Sequence, residues 1–415
     1  MLLKLILILF SFSRSFGYEF DLGLSKKLTR DYIKQLNKTE TGKDFYKKYK
    51  KEKKKFPKIY LRYSNDDGLA WYEKKSDRIY FNSKYIMIFF DIENYTDKRI
   101  IEVLYFSSDT RKEFVKYSDV VYLHELVHSF QDFRYGDSRY YKNGLFLELE
   151  YEAYLISDMY FFEKMKNDKE LFIKILKGEY SDIYTAEYTG ALLSISESMD
   201  DYKNNIELRY TNEINAYVSL NDEEIKRKFK LEENKIISYA RGDKENFEEE
   251  KIDYEKLKKQ KDDYLSFIEN FYKNVWPDFS YNVLRFLFNT SFEARNYYSF
   301  FNSAYLLEKN KSVYKFEKDK DFAAKEAMIY LEFIDYIKNE KNYERASSLL
   351  MSFEKFCEIN KKEFPEGLIG LRNENYKKTY LKYSNKIETE KDVLKRKYYQ
   401  EMLEYFRSKL PELSQ

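Results

Sequence analysis

The chain has 415 residues, with 74 Lys and Arg against 72 Asp and Glu, so its formal net charge is only +2. This balance gives no reason to expect a nucleic-acid partner, and the single cysteine cannot form an internal disulfide. The 11 glycines nowhere form a phosphate-binding loop, which argues against a nucleotide enzyme. Because prolines are also scarce, we expect long helices with few tight turns.

The first 17 residues have the pattern of a secretory signal peptide. Lys4 supplies a positive charge, Leu5–Phe10 an apolar stretch, and Ser15 and Gly17 the small residues before a cleavage site. An uncleaved anchor is the alternative, but the apolar stretch is far shorter than the roughly 20 residues that cross a bilayer. We therefore predict a secreted protein, extracellular or periplasmic, with no stable membrane anchor after cleavage.

A basic segment and a group of predicted strands come next. Residues 47–55 are all lysine except Tyr49 and Glu52, which favours a solvated helix face over an anion-binding surface, and Pro57 ends the segment. Alternating aromatic and β-branched residues then indicate a small sheet with one buried face. The predicted strands are Lys58–Ser64, Leu69–Tyr72, Arg78–Asn82 and Tyr85–Asp91, with a turn at Asp67 and Gly68.

The only two histidines of the chain fall within one five-residue string, HELVH at residues 124–128. On a helix, His124 and His128 lie on one face, one turn apart, where both imidazoles can bind the same zinc ion. Glu125 can act as general base on a metal-bound water. A Ser-His-Asp triad or a Cys-His dyad would have to take its histidine from this string, so a zinc site is the better interpretation.

The helix that carries this string is predicted to begin at residues 109–110 or, alternatively, at Ser118, and to end near Gly136. Gln131 and Asp132 follow the second histidine by one turn. They either orient the site or are exposed residues at the helix end, and the sequence leaves both interpretations open.

A catalytic zinc site needs a third protein ligand and leaves a fourth position for water. Without a third histidine this ligand must be a carboxylate, and the next predicted helix, Leu145 to Lys164, carries Glu148, Glu150 and Glu152. Residues two apart on a helix point about 200° apart, so Glu150 cannot face the metal together with either of the others. Glu213, further along the chain, is a distant candidate.

HELVH followed 20 to 24 residues later by an acidic, alanine-containing helix resembles the gluzincin group of zinc metallopeptidases. The resemblance covers about residues 117–160, and it implies a zincin-like fold, one zinc ion and peptidase activity. Gluzincins often have the pattern Glu-x-x-Ala, which Glu150 and Ala153 match. The resemblance therefore implies Glu150 as the third ligand, with Glu152 as the main alternative.

Further residues could support such a site. Ser157 and Asp158 lie two turns beyond Glu150 on its helix face and are suited to a role in the second coordination shell. Many gluzincins stabilise the oxyanion with an additional histidine or tyrosine, but this chain has no spare histidine. The tyrosine candidates, among which the sequence does not choose, are Tyr140, Tyr141, Tyr154 and Tyr217.

The remainder of the chain is predicted to be almost entirely helical. Residues 222–263 have the composition of a solvated helix or connector, and Cys357 is predicted to be a buried, unreactive thiol. Amphipathic helices are predicted over Phe322–Asn339, Tyr343–Asn360 and Glu388–Ser408. The predicted fold class is α+β and mostly helical, with a zincin-like sheet and active-site helix in residues 18–296 and an all-helical region in residues 297–415.

These features predict a secreted zinc peptidase that acts on a peptide or protein substrate, with an edge strand among residues 58–91 aligning the substrate. The alternative is a non-catalytic secreted protein, with a structural or vestigial zinc site and a helical region that binds a partner. Glu125 argues against this alternative, because a structural zinc site needs no base. Metal-dependent hydrolysis of a non-peptide substrate is the least supported possibility.

Overall fold

A computed structural model describes residues 21–65, 68–90, 96–135, 147–179, 185–207, 254–390 and 393–414. The protein is α+β and mostly helical, as predicted, and the described residues form 17 helices and one small three-stranded mixed sheet. None of the helices in these ranges is both long enough and apolar enough to cross a membrane. The predicted signal peptide lies outside the described residues.

The chain divides into two compact units. The first consists of Met1–Tyr141, Glu148–Asn167 and Lys256–Tyr264, and the second of Lys142–Leu147, Asp168–Glu255 and Leu265–Gln415. The predicted boundary between residues 296 and 297 falls within the second unit.

The first unit contains the sheet and the helix with the HELVH string. Its elements are α1 (residues 21–36), α2 (Glu40–Glu52), β1 (Lys58–Arg62), β2 (Ala70–Glu73), β3 (Arg78–Asn82), α3 (Ser83–Phe89), α4 (Asp97–Phe106), α5 (Ser108–Tyr135) and α6 (Leu147–Asn167). The first three predicted strands are confirmed, and β3 has the predicted bounds.

The sheet has the order β1-β3-β2, with β1 parallel and β2 antiparallel to the central strand. The Asn82 N–H donates to the Leu69 carbonyl at 2.9 Å, which makes this opposed pair hydrogen-bonded. Hydrogen-bonded and non-hydrogen-bonded pairs alternate in an antiparallel ladder. Ala70 and Tyr72, opposite Phe81 and Ile79, therefore direct their backbone N–H and C=O groups away from β3, toward the outer edge of β2.

The fourth predicted strand, Tyr85–Asp91, is wrong, because residues 83–89 form helix α3. Asn82, which is fully buried, accepts a hydrogen bond from the Lys84 N–H at 3.2 Å and so provides an N-cap at the end of β3. A short apolar run can form either a buried strand or a buried helix, and its periodicity does not distinguish the two. The sequence pattern therefore could not show that Asn82 caps a helix here.

A buried ion pair ties α5 to α6. Lys164 Nζ lies 2.6 Å from Asp119 Oδ1, and the Tyr160 hydroxyl donates to Asp119 Oδ2 at 2.8 Å. Asp119 is fully buried, and only 10% of the Lys164 side chain is exposed. Because a charge buried without a partner is costly, this pair fixes how the two helices face each other.

The second unit is helical throughout its described residues. Its helices are α7 (Lys169–Leu176), α8 (Thr185–Glu197), α9 (Met199–Glu207), the later part of α10 (Tyr254–Asn274), α11 (Trp276–Ala294), α12 (Tyr297–Lys309), α13 (Lys311–Tyr314), α14 (Lys320–Ile337), α15 (Tyr343–Ile359), α16 (Glu366–Ile387) and α17 (Val393–Lys409). The three predicted amphipathic helices correspond to α14, α15 and α17, with shifts of up to five residues at their ends.

Aromatic side chains fill the core of the second unit, where the Phe288 and Phe322 rings stack with centroids 3.9 Å apart.

Several helices of the second unit are followed by a residue with a left-handed backbone that is not glycine. Examples are Arg295, Lys315 and Lys361, with φ of 50 to 56°. Each such residue costs about 1–2 kcal/mol relative to a right-handed conformation.

Candidate metal centre

Helix α5 begins two or three residues earlier than the first of the two predicted starts. The Ser107 hydroxyl accepts from the Thr110 N–H at 3.2 Å, so Ser107 is the N-cap rather than Asp109 or Thr110. Ser118, the alternative, lies inside the helix, where its hydroxyl donates to the Phe114 carbonyl at 2.6 Å. The resulting 28-residue helix runs through the core, so the HELVH string lies on a rigid, mostly buried element.

The two histidines meet Glu150 of α6 at a single point. His124 Nε2 and His128 Nε2 are 2.9 Å apart, and Glu150 Oε2 lies 3.3 Å and 3.5 Å from them. Two ligand atoms each about 2.0–2.2 Å from a tetrahedral ion are roughly 3.3–3.6 Å apart, so the triangle has nearly the size that one ion requires. These three residues lie close enough to bind a metal ion, and no other such cluster occurs within the described ranges.

The electrostatics of this cluster also favour a bound cation. Glu150 Oε2 is buried and has no well-oriented hydrogen-bond donor among the described residues. Burial acts to raise the pKa of the Glu150 carboxyl, but the charge of His128 holds it well below its usual range. Burial likewise acts to lower the pKa of His128, but the negative charge of Glu150 outweighs this effect and raises the pKa to about 8. A buried carboxylate between two imidazoles thus holds either a proton or a metal ion.

Gln131 orients one of the imidazoles. Its Oε1 lies 2.8 Å from His128 Nδ1, and its Nε2 donates to the Leu149 carbonyl at 3.0 Å and to Glu152 Oε2 at 2.8 Å. The amide oxygen of Gln131 thus faces His128 Nδ1, while Nε2 of the same ring faces the cluster. Of the two interpretations that the sequence left open for Gln131, the exposed one is wrong, because this residue is buried against His128.

Glu125 lies beside the cluster, with only 7% of the residue exposed. The Tyr72 backbone N–H donates a hydrogen bond to its carboxylate. Because this N–H points away from β3, Glu125 lies at the outer edge of β2. Burial raises the pKa of the Glu125 carboxyl, against the opposing charges of His124 and His128.

The other predicted site residues take different places. Glu152 is buried but bonds to Gln131 instead of joining the three converging atoms. The Tyr154 ring packs against the His124 imidazole, with centroids 4.5 Å apart. The Ser157 hydroxyl donates to backbone carbonyls of its own helix, and Asp158 is fully buried. Outside the described residues lie Gly136, Tyr140, Tyr141, Glu213 and Tyr217.

A polar network that the sequence did not reveal joins β2 to α5. The Tyr72 hydroxyl donates to Asp77 at 3.2 Å and to Asp132 at 3.3 Å. Lys53 and Lys74 pair with these two carboxylates at 2.7 Å and 2.9 Å. Lys53 belongs to the basic segment predicted to be solvated, yet only 10% of its side chain is exposed. In the sequence, only the strand alternation could have indicated that Tyr72 takes part in this network, because it directs the side chains of Trp71 and Tyr72 to opposite faces of the sheet.

The chain matches no protein-family model, no curated protein and no solved structure. Its function must therefore be inferred from the geometry of the site.

Proposed function

We propose that this protein is a secreted zinc-dependent peptidase that hydrolyses peptide bonds. The observation that carries the proposal is the convergence of His124, His128 and Glu150 next to the buried carboxylate of Glu125. Two imidazole nitrogens and one carboxylate oxygen are a ligand set typical of catalytic zinc, whereas Mg²⁺ and Ca²⁺ prefer oxygen ligands alone.

The residues around the cluster have distinct roles in this proposal. Bound zinc would polarise the scissile carbonyl and acidify a water in the fourth position. Glu125 accepts the proton of the attacking water and later delivers it to the leaving amine. The Tyr72 backbone N–H holds the carboxylate of Glu125 in one place, and Gln131 holds the ring of His128.

The outer edge of β2 supports a peptide as the substrate. Ala70 and the Tyr72 carbonyl direct backbone hydrogen-bonding groups toward this edge, where the Tyr72 N–H already donates to Glu125. An extended peptide that adds a strand there by backbone hydrogen bonds would pass close to Glu125 and the metal ligands. The network of Tyr72 with Asp77 and Asp132 keeps β2 packed against α5.

The test is peptide turnover by protein that begins at residue 18, loaded with zinc and with its metal content measured. The substrate is a mixture of peptides of diverse sequence, and mass spectrometry detects the products. We expect cleavage that a chelator abolishes and that added zinc restores. Glu125→Gln is the matched control, because it keeps all three metal ligands and should stop turnover. Bound zinc without turnover would contradict the proposal and support the non-catalytic alternative.

A further inference from the structure

The side-chain amide of Gln131 lies between a metal-ligand candidate and a second buried acid of α6. His128 Nδ1 is 2.8 Å from its oxygen, and Glu152 Oε2 is 2.8 Å from its nitrogen. All three residues are nearly inaccessible, with exposed fractions of 4% for His128, 5% for Gln131 and 8% for Glu152. Each of these hydrogen bonds is therefore shielded from competing water.

The partners of Gln131 leave one arrangement of its amide. The Leu149 carbonyl can only accept a hydrogen bond, and Glu152 Oε2 accepts one from the same amide nitrogen. Both must face the NH₂ end of the amide, which turns the oxygen of Gln131 toward His128. A proton on His128 Nδ1 then satisfies that oxygen, and Nε2 keeps its lone pair.

Helix α6 thus acts on both ring nitrogens of His128, on one directly and on the other through Gln131 of α5. Glu150 approaches Nε2 directly at 3.5 Å. Glu152, two residues later and on another side of the helix, reaches Nδ1 through Gln131. One helix supplies both a metal ligand and the group that prepares a second ligand for binding.

We propose that Gln131 and Glu152 form a positioning pair that fixes His128 in the tautomer with Nδ1 protonated, so that Nε2 is available to a metal ion. The inference rests on the proposed metal site and extends it to two residues that do not touch the metal. Outer-shell partners of this kind typically change metal affinity by about 10–100-fold when they are removed.

The chain contains only two histidines, which makes the tautomer directly measurable. In metal-free protein labelled with ¹⁵N-histidine, at about pH 9.5 where imidazoles are neutral, ¹H–¹⁵N spectra should show two rings. His124→Asn assigns them by removing one. In the unmodified protein we expect the His128 ring to carry its proton on Nδ1.

Two variants separate hydrogen bonding from packing. Gln131→Leu keeps a similar volume but removes the acceptor, so a large fraction of His128 should move its proton to Nε2 and zinc affinity should fall by about 10–100-fold. The double variant Gln131→Glu with Glu152→Gln restores an acceptor for His128 and a donor for that acceptor, while the Leu149 carbonyl loses its hydrogen bond. It should keep the Nδ1 proton and lose less zinc affinity than Gln131→Leu, because His128 keeps its acceptor.

Thermal unfolding checks that each variant is folded. The inference is overturned if Gln131→Leu leaves the His128 spectrum unchanged, even if affinity falls, or if the folded double variant carries the His128 proton on Nε2. The double variant decides the question on its own if Gln131→Leu does not fold. Because the tautomer is read without metal, a protein with the expected tautomer and no peptidase activity would refute the proposed function and leave this inference standing.

Discussion

Replacing Glu150 by alanine is the most direct test of the candidate metal centre. Glu150 Oε2 lies within 3.5 Å of both histidine nitrogens, and the substitution leaves two imidazoles and solvent to hold the ion. Four-ligand structural zinc sites bind with roughly 10–16 kcal/mol, or about 2.5–4 kcal/mol per ligand. At about 1.4 kcal/mol per factor of ten, loss of this ligand should weaken zinc binding by about 10²–10³-fold.

The assay is competition for zinc against a fluorescent chelator at neutral pH, with the bound metal counted by atomic emission. Glu152→Ala is the matched variant two residues away in the same helix, and it should weaken binding by no more than about 10–100-fold, because Glu152 acts only through Gln131. Glu113→Ala, at an exposed position on α5, should leave affinity unchanged. A larger loss from Glu152→Ala than from Glu150→Ala would refute the assignment of the third ligand.

Four further outcomes are expected. Glu125→Gln should keep zinc and lower peptide turnover by about 10²–10⁴-fold, and normal turnover would exclude this residue as the base. Zinc affinity, measured by chelator competition, should fall as pH drops below about 8, because the pKa of His128 is raised to about 8 and only the neutral imidazole binds metal; an affinity that is constant between about pH 6 and 8 would contradict this. Burial raises the pKa of the Cys357 thiol to about 12, so a thiol reagent should label this residue only in the unfolded chain. The stability that the group contributes below about pH 9 should be lost as pH rises toward 12. Rapid labelling of the folded protein would show that the thiol is accessible. Asp119→Ala should lower the free energy of unfolding, measured in urea, by about 3–5 kcal/mol because Lys164 is left buried and unpaired, and a loss below about 1 kcal/mol would mean that water reaches the lysine.

The sequence alone was sufficient for the local features of this protein. The spacing of His124 and His128 within one helix follows from the 3.6-residue period, which depends on no distant contact. The same holds for the alternation that predicts β1 to β3, and for the amphipathic helices of the second unit. Helical geometry also showed that Glu150 and Glu152 could not both face the histidines.

Other features depend on contacts between residues far apart in the chain, and only the tertiary structure decided them. Residues 83–89 are helical because the buried Asn82 caps them, although their composition equally suits a strand. Lys53 is largely buried because Asp77, 24 residues away, offers it a carboxylate at 2.7 Å. Lys47 in the same segment pairs with Asp44, which is itself exposed, and so stays in solvent. A side chain's local sequence sets which way it points on its helix, but its charge state, partners and burial are set by whatever the fold brings opposite to it. This is why the histidines of the site could be found from the sequence, and why the resemblance could favour Glu150 over Glu152 without excluding either. The contact of Gln131 with His128 and that of Tyr72 with Glu125 depend on the packing of α5 against α6 and β2.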